Sequence, residues 1–312
     1  MEIVAQKPVS IAKAFSPGHI TGLFATSEAS LTCPENSGSL GAGFNITKGI
    51  HTIVKIFNDF RKNYRILIND IDCSDARVSK FVIEYYLQII KEPVFISVDH
   101  ECEIPIGYGL GSSGAAALGL SFALNDALKT NLSYTQAAQI AHLADFVCKT
   151  GLGTVISEFT GGFEIRTSIG GPGIGKILKF PISDDFYVII LCLKPISTKS
   201  ILNKSFISKN DSLNSYSKKM IEQLINNPTI DAFLDTSCTY AKKFGLLDGP
   251  CKEPALSLQE LGIKSSVALF GHTLFTIVKK EQTNDVLRTL SSFDGKIYVC
   301  NIDNFGARLF YD

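Results

Sequence analysis

Neither sign of charge prevails in these 312 residues: 30 Lys and Arg stand against 30 Asp and Glu. A surface that grips a nucleic-acid backbone needs an excess of basic residues on one face, so that class of protein is set aside. Long apolar runs are missing too. The longest, residues 186–193, has eight residues, whereas a membrane-spanning helix needs about 20. The opening stretch MEIVAQKPVSIAKAF carries charge early and has no apolar core of leader length, which predicts a cytoplasmic protein. The eight cysteines are scattered, with no C-x-x-C and no His at ligand spacing. Reduced thiols in a core are predicted, rather than a disulfide frame or a zinc site. Internal repeats and low-complexity tracts are also absent. What remains is a chain that is 45% hydrophobic and 19% charged. Such a chain buries a full core, and its length suits one large or two medium domains.

Periodicity places the elements. Residues 10–15, 44–57 and 64–68 alternate as strands. Residues 75–90 put Val78, Phe81, Val82, Tyr85 and Ile89 on one helical face, with Ser74 or Asp75 as the cap and Pro93 beyond the end. A short strand at 94–98 precedes a glycine-rich loop at 105–111. Two helices follow, at 115–128 and at 134–149, the second capped by Ser133. Strands are predicted at 163–166 and 187–193. A polar surface helix is expected over 208–227 and another helix over 230–244. Strands at 267–270 and 273–278 flank a turn at Gly271. A helix at 283–293 and strands at 297–301 and 307–310 close the chain. This order lacks the regular spacing of a doubly wound sheet. The fold class predicted is α+β, with two domains, residues 1–175 and 176–312.

The most informative segment is Pro105-Ile-Gly-Tyr-Gly-Leu-Gly-Ser-Ser-Gly-Ala-Ala-Ala117. Alternate glycines at Gly107, Gly109 and Gly111 free a tight turn of side chains. Ser112, Ser113, Gly114 and Ala115 then open a helix whose first N–H groups are accessible. Free donors and the positive end of a helix dipole make an anion site suited to a triphosphate. The segment is not a Walker A loop, because no Gly-Lys-Ser/Thr follows. Nor does its spacing match the dinucleotide fingerprint.

This segment resembles the ATP-binding motif of the GHMP small-molecule kinases, which include homoserine, mevalonate and galactose kinases. Ala14-Phe-Ser-Pro-Gly-His-Ile-Thr-Gly-Leu-Phe24 is similar to their first motif, in the form found in archaeal pantoate kinases. Ala268-Leu-Phe-Gly-His-Thr-Leu-Phe275 resembles the third motif. The resemblance implies a two-domain fold with ATP and acceptor in the cleft between the domains. It implies ATP and Mg²⁺ as cofactors and a small hydroxy acid as substrate, with a homodimer as one possible assembly. Nucleic-acid and membrane partners are not expected.

The resemblance also assigns residues. Pro105, Gly107, Gly109, Leu110, Gly111, Ser112, Ser113, Gly114 and Ala115 would bind ATP. Asp145 stands where the family holds Mg²⁺ with an acidic side chain, usually Glu in pantoate kinases, and Ser112 would share the metal. His19, Asp145 and Thr154 are the catalytic candidates. His19, Thr21, Ser39, His142, Arg166 and Thr198 are the acceptor-binding ones. His142 precedes Asp145 by one helical turn, which predicts that both face the cleft.

Two departures bear on the acceptor. Pantoate kinases read Gly-Leu-Gly-Asp where this chain reads Gly151-Leu-Gly-Thr154. A Thr hydroxyl is no base near neutral pH. Leu40, in Gly38-Ser-Leu-Gly-Ala-Gly43, stands where an Arg is usual, and Leu cannot pair a carboxylate. Together these favour a changed acceptor, and the expectation is a mevalonate 3-phosphate 5-kinase. A pantoate kinase is the alternative, and a non-catalytic ATP- or metabolite-binding relative is a further one.

Overall fold

The computed structural model describes residues 7–26, 33–151, 153–180, 182–196 and 211–311. Its spine is an antiparallel pair of long strands, β1 (Ser10–Ala25) and β2 (Leu40–Asn58). Both outrun the strands predicted at 10–15 and 44–57. Gly18 and Gly22 lie inside β1, and Gly41 and Gly43 inside β2, so these glycines do not end the strands. The chain absorbs its irregularity in register shifts at Pro17/Gly18 and Thr21/Leu23, where a bulge re-aims the side chains that follow.

Six more strands complete the first sheet: β3 (Asn63–Ile68), β4 (Ile71–Asp72), β5 (Val94–Cys102), β6 (Phe163–Ser168), β7 (Lys176–Phe180) and β12 (Arg308–Phe310). The order is β12-β1-β2-β5-β3-β4. β6 pairs with the first part of β2 and carries β7 on its other edge. Among the described residues the only parallel pair is β3 with β5. The second sheet has the order β11-β8-β10-β9, from β8 (Phe186–Lys194), β9 (Ser266–Val267), β10 (His272–Lys279) and β11 (Lys296–Cys300). A division at 175/176 would therefore cut the first sheet. β7 hydrogen-bonds back to β6, and β12 returns to β1 after the second sheet is complete.

Three helices cover one face of the first sheet: α1 (Arg77–Ile89), α2 (Ser112–Ala127) and α3 (Tyr134–Cys148). α1 starts one residue later than its expected caps. Ala76 is the cap and offers no side-chain bond, so neither Ser74 nor Asp75 plays that part. At its other end Lys62 Nζ donates to the carbonyls of Leu87 and Ile90, both at 2.6 Å. Ser133 caps α3 as predicted, in a reciprocal capping box with Gln136. α2 lies between sheet and helices, which explains its Ala- and Gly-rich composition: nearly every side it presents is buried.

α4 (Thr154–Thr160) and α7 (Lys252–Glu260) were not predicted. α5 (Asp211–Asn226) is not merely a surface helix, because Met220, Ile221 and Leu224 enter the core. α6 (Ile230–Lys243) and α8 (Thr283–Leu290) fall where expected, with α8 ending three residues early. The strand predicted at 267–270 ends at Val267, and Phe270 takes a left-handed conformation with φ 67°.

One apolar cluster joins the two sheets. Phe44 of β2 stacks on Phe163 of β6, with centroids 6.4 Å apart. It meets Phe233 of α6 and Phe275 of β10 edge-on at 5.9 and 5.6 Å. All four rings are buried. The eight cysteines are free, as predicted, and among the described residues no helix is long and apolar enough to cross a membrane. Phe233→Ala empties the centre of this joint. It should cost about 3–5 kcal/mol, read as a lower midpoint in denaturant unfolding.

Candidate active site

The glycine loop adopts the geometry its sequence demands. Gly107, Gly109 and Gly111 have φ of 86°, 75° and 74°, a region other L-residues rarely enter. Gly111 caps α2 directly. The loop carbonyls are committed elsewhere. Ile196 N donates to Gly107 O at 2.8 Å, Thr273 Oγ1 to Tyr108 O at 2.7 Å, and His19 N to Leu110 O at 3.0 Å. Ala115 N makes the first α2 bond, to Gly111 O. The three preceding N–H groups, of Ser112, Ser113 and Gly114, have no acceptor within the helix.

A cleft opens over these donors. Ile106, Gly107 and the loop from Gly109 to Gly114 line it. Asp145, Thr150, Gly151, Gly153 and Thr154 form the second wall, from the end of α3 to the start of α4. His19, Thr21 and Arg166 come from the first sheet, Ser39 from the residue before β2, and Leu269 and Phe270 from the turn before β10. A neighbouring apolar recess shares Ile106, Ser112, Ser113 and Thr150 with the cleft and adds Ile50, Ile68, Val78 and Ala116.

Most of the expected site residues therefore converge. Pro105 lies at the foot of the loop and Ala115 is buried in the core; neither lines the cleft. His142 is a clear departure. Its Nε2 lies 2.9 Å from Pro34 O and 3.0 Å from Ser37 Oγ, and the ring faces a different cavity. Three residues of helix rotate a side chain by about 300°, which is enough to send His142 and Asp145 to different surroundings. Burial pulls the His142 pKa below its ordinary value, and the Pro34 carbonyl opposes it. Thr198 lies outside the described residues.

Asp145 is buried and accepts a 2.6 Å hydrogen bond from Thr150 Oγ1. Burial raises its pKa to about 6, against the partial relief given by Thr150. A Cβ on Gly151 would overlap this carboxylate, which explains the glycine there.

Two carboxylates escaped the sequence reading. Glu158, one turn after Thr154 on α4, is fully buried, and neither oxygen has a partner. It lies against Gly111 and Gly114, where a Cβ would collide with it. Burial, then Asp145, pushes its pKa well above the usual range. Glu164 lies two residues before Arg166 on β6, so both face the same way. Its Oε1 takes hydrogen bonds from Arg166 Nη1 at 2.5 Å, His19 Nε2 at 3.0 Å and Ser157 Oγ at 3.1 Å. Burial raises the Glu164 pKa, but Arg166, His19 and Ser157 together outweigh it and hold the group ionised. A charged pair at i and i+2, alternating with the apolar Phe163 and Ile165 of one strand, is the available signal.

The glycines of β2 make room for this network. Gly41 stands opposite Arg166 and Gly43 opposite Glu164. A Cβ on Gly41 would overlap the Arg166 guanidinium, and one on Gly43 would come within 2.7 Å of His19 Nε2. Leu40, beside them, packs against the apolar joint and does not line the cleft.

Residues 77–161 match the family model described as the GHMP kinases N terminal domain. The pantoate kinase of Methanocaldococcus jannaschii is 34% identical over 92% of this chain and 99% of its own length. The chain belongs to the GHMP kinases. It is an ATP-dependent phosphotransferase with an alcohol acceptor. The pantoate kinase of Thermococcus kodakarensis is 30% identical over 90% of this chain and 92% of its own length. A solved structure described as a phosphotransferase related to the CoA biosynthesis pathway superposes with a TM-score of 0.82. It shares 28% identity and covers 96% of this kinase and 98% of itself.

The raised Asp145 pKa carries a stability cost with a definite sign. Between its ordinary 3.8 and about 6, the folded kinase holds a proton that the unfolded chain releases. Stability therefore falls as pH rises through that window, and the penalty is complete above it. Asp145→Asn should remove up to about 3 kcal/mol of penalty. In chelator, its melting temperature should exceed wild type at pH 8, and the gap should close below about pH 4.

Proposed function

We propose that this GHMP kinase phosphorylates the primary hydroxyl of pantoate. The observation that carries the reading is Arg166. Its Nη1 is held by Glu164 and Ser157, while its buried Nε has no partner and the side chain lines the cleft. A guanidinium anchored by Glu164 and Ser157 at the wall of the cleft suits a carboxylate-bearing acceptor. Two pantoate kinases that match over nine-tenths of this chain support the same acceptor.

The expectation of mevalonate 3-phosphate rested on Leu40 and Thr154. Leu40 is partly buried against the apolar joint and does not line the cleft, so an Arg lost there need not have been lost from the acceptor pocket. Thr154 lines the cleft, and its change concerns proton removal more than acceptor choice.

On this reading the N–H groups of Ser112, Ser113 and Gly114 take the phosphates, and the apolar recess beside them takes the adenine. The donor set suits Mg²⁺. Asp145 supplies a hard oxygen, Ser112 supplies a hydroxyl, and the unpartnered oxygens of Glu158 lie beneath the loop. Bound there, Mg²⁺ would neutralise charge on the transferring phosphoryl group. Thr21, Ser39 and Thr154 offer hydroxyls to the acceptor.

The test offers purified protein ATP, Mg²⁺ and, separately, pantoate, mevalonate, mevalonate 3-phosphate and homoserine. ADP release with pantoate is expected; release with mevalonate 3-phosphate alone would overturn the reading. Arg166→Met should raise the pantoate KM about 10- to 100-fold, the worth of a charged hydrogen bond. The KM for ATP should hold in the same steady-state assay.

A further inference from the structure

We propose that Thr21, His19 and Glu164 form a proton relay that takes the acceptor's hydroxyl proton in place of the carboxylate missing at Thr154. The proposal deepens the kinase reading above and rests on it.

Three ionisable side chains line the cleft among the described residues: His19, Asp145 and Arg166. Arg166 is a permanent cation, and Asp145 is the metal candidate. Glu158 lies behind the loop and does not reach the cleft lining. His19 is the base that remains.

Its chemistry is set by Glu164. An ionised carboxylate only accepts, so the 3.0 Å contact to Glu164 Oε1 fixes the proton on His19 Nε2. Nδ1 is then left with its lone pair. Thr21 Oγ1 lies 3.3 Å from it and donates, which leaves the Thr21 oxygen free to accept from a hydroxyl in the cleft. His19 and Thr21 are two residues apart on β1, hence on one face, and the register shifts at Pro17/Gly18 and Thr21/Leu23 bracket them. Gly43 provides clearance for the ring. Burial holds the His19 pKa below its ordinary value despite Glu164, so the ring is neutral and ready to accept at pH 7.

The step balances. The acceptor's proton passes to Thr21 Oγ1 as the Thr21 proton passes to His19 Nδ1. The acceptor oxygen forms its bond to the γ-phosphorus, and the bond from phosphorus to the β,γ-bridging oxygen breaks, its electron pair leaving with ADP. The imidazolium formed is paired with Glu164 and returns its proton to water through Thr21 after the products leave. Thr21 touches substrate; Glu164 is a positioning residue that acts through His19.

The test uses whichever acceptor releases ADP in the assay above. Thr21→Val should lower kcat on the order of 100-fold, and Thr21→Ser should recover most of that loss. Glu164→Gln should lower kcat at least about tenfold, and adding Thr154→Asp should restore turnover by supplying a carboxylate base directly. Full kcat in Thr21→Val would overturn the relay. So would a Glu164→Gln variant that raises only the acceptor KM, since Glu164 would then serve Arg166 alone. One measurement needs no acceptor: ¹⁵N NMR of the histidine rings in the whole protein. A His19 ring protonated on Nε2 at pH 7 is expected, and protonation on Nδ1 would sink the relay even if every acceptor assay were silent.

Discussion

A carboxylate buried without partners costs several kcal/mol, and Glu164 is buried completely. Much of the site's architecture can be understood as the answer to that cost. Arg166 supplies the countercharge, Ser157 of α4 a hydroxyl, and His19 of β1 a ring N–H. β2 contributes by having no side chains where the network passes, at Gly41 and Gly43. One group thus fixes the mutual placement of β1, β2, α4 and β6. Each partner that satisfies Glu164 also lies at or beside the cleft, so structural and chemical demands fall on the same residues.

The cleft's other wall follows a different rule. On the proposed reading it would take phosphate without a lysine at the loop, through backbone donors and the open end of α2. A balanced total of 30 basic and 30 acidic residues is compatible with a polyanionic substrate because the field needed is local. The acidic groups nearby, Asp145 and Glu158, have pKa values raised by burial. Burial favours the protonated form of both groups, so a cation that binds there displaces protons and its binding is coupled to their release.

Local features of this site were legible in the sequence, and long-range ones were not. Three alternating glycines before an Ala-rich run determine both the left-handed turns and the accessible helix start, so the loop could be read directly. So could the Ser133 cap, whose partner is three residues away. Glu164 shows in the sequence only as a charge two residues before Arg166, and its meaning lies in His19, 145 residues away. The true extent of β1 was hidden by glycines that serve clearance rather than turning. His142 was misplaced because helical periodicity gives relative angles, not which face meets the cleft. Leu40 was misread for the related reason that its neighbours across the sheet decide which way it points. α4 is only seven residues long, too short to establish a helical period of its own.

The loop's three carbonyl bonds have a bearing on how the molecule is made. Their donors are His19, Ile196 and Thr273, spread from the first strand to the last third of the chain. Closing such distant contacts is slow, because loop entropy is spent before the contacts form. During synthesis, α2 and the first sheet can assemble while the nucleotide loop still lacks its clamp from β10. Nucleotide affinity should therefore emerge late and abruptly, once the second sheet has docked. In a refolding experiment, nucleotide binding would then mark the completed tertiary structure, whereas helix content would rise well before it.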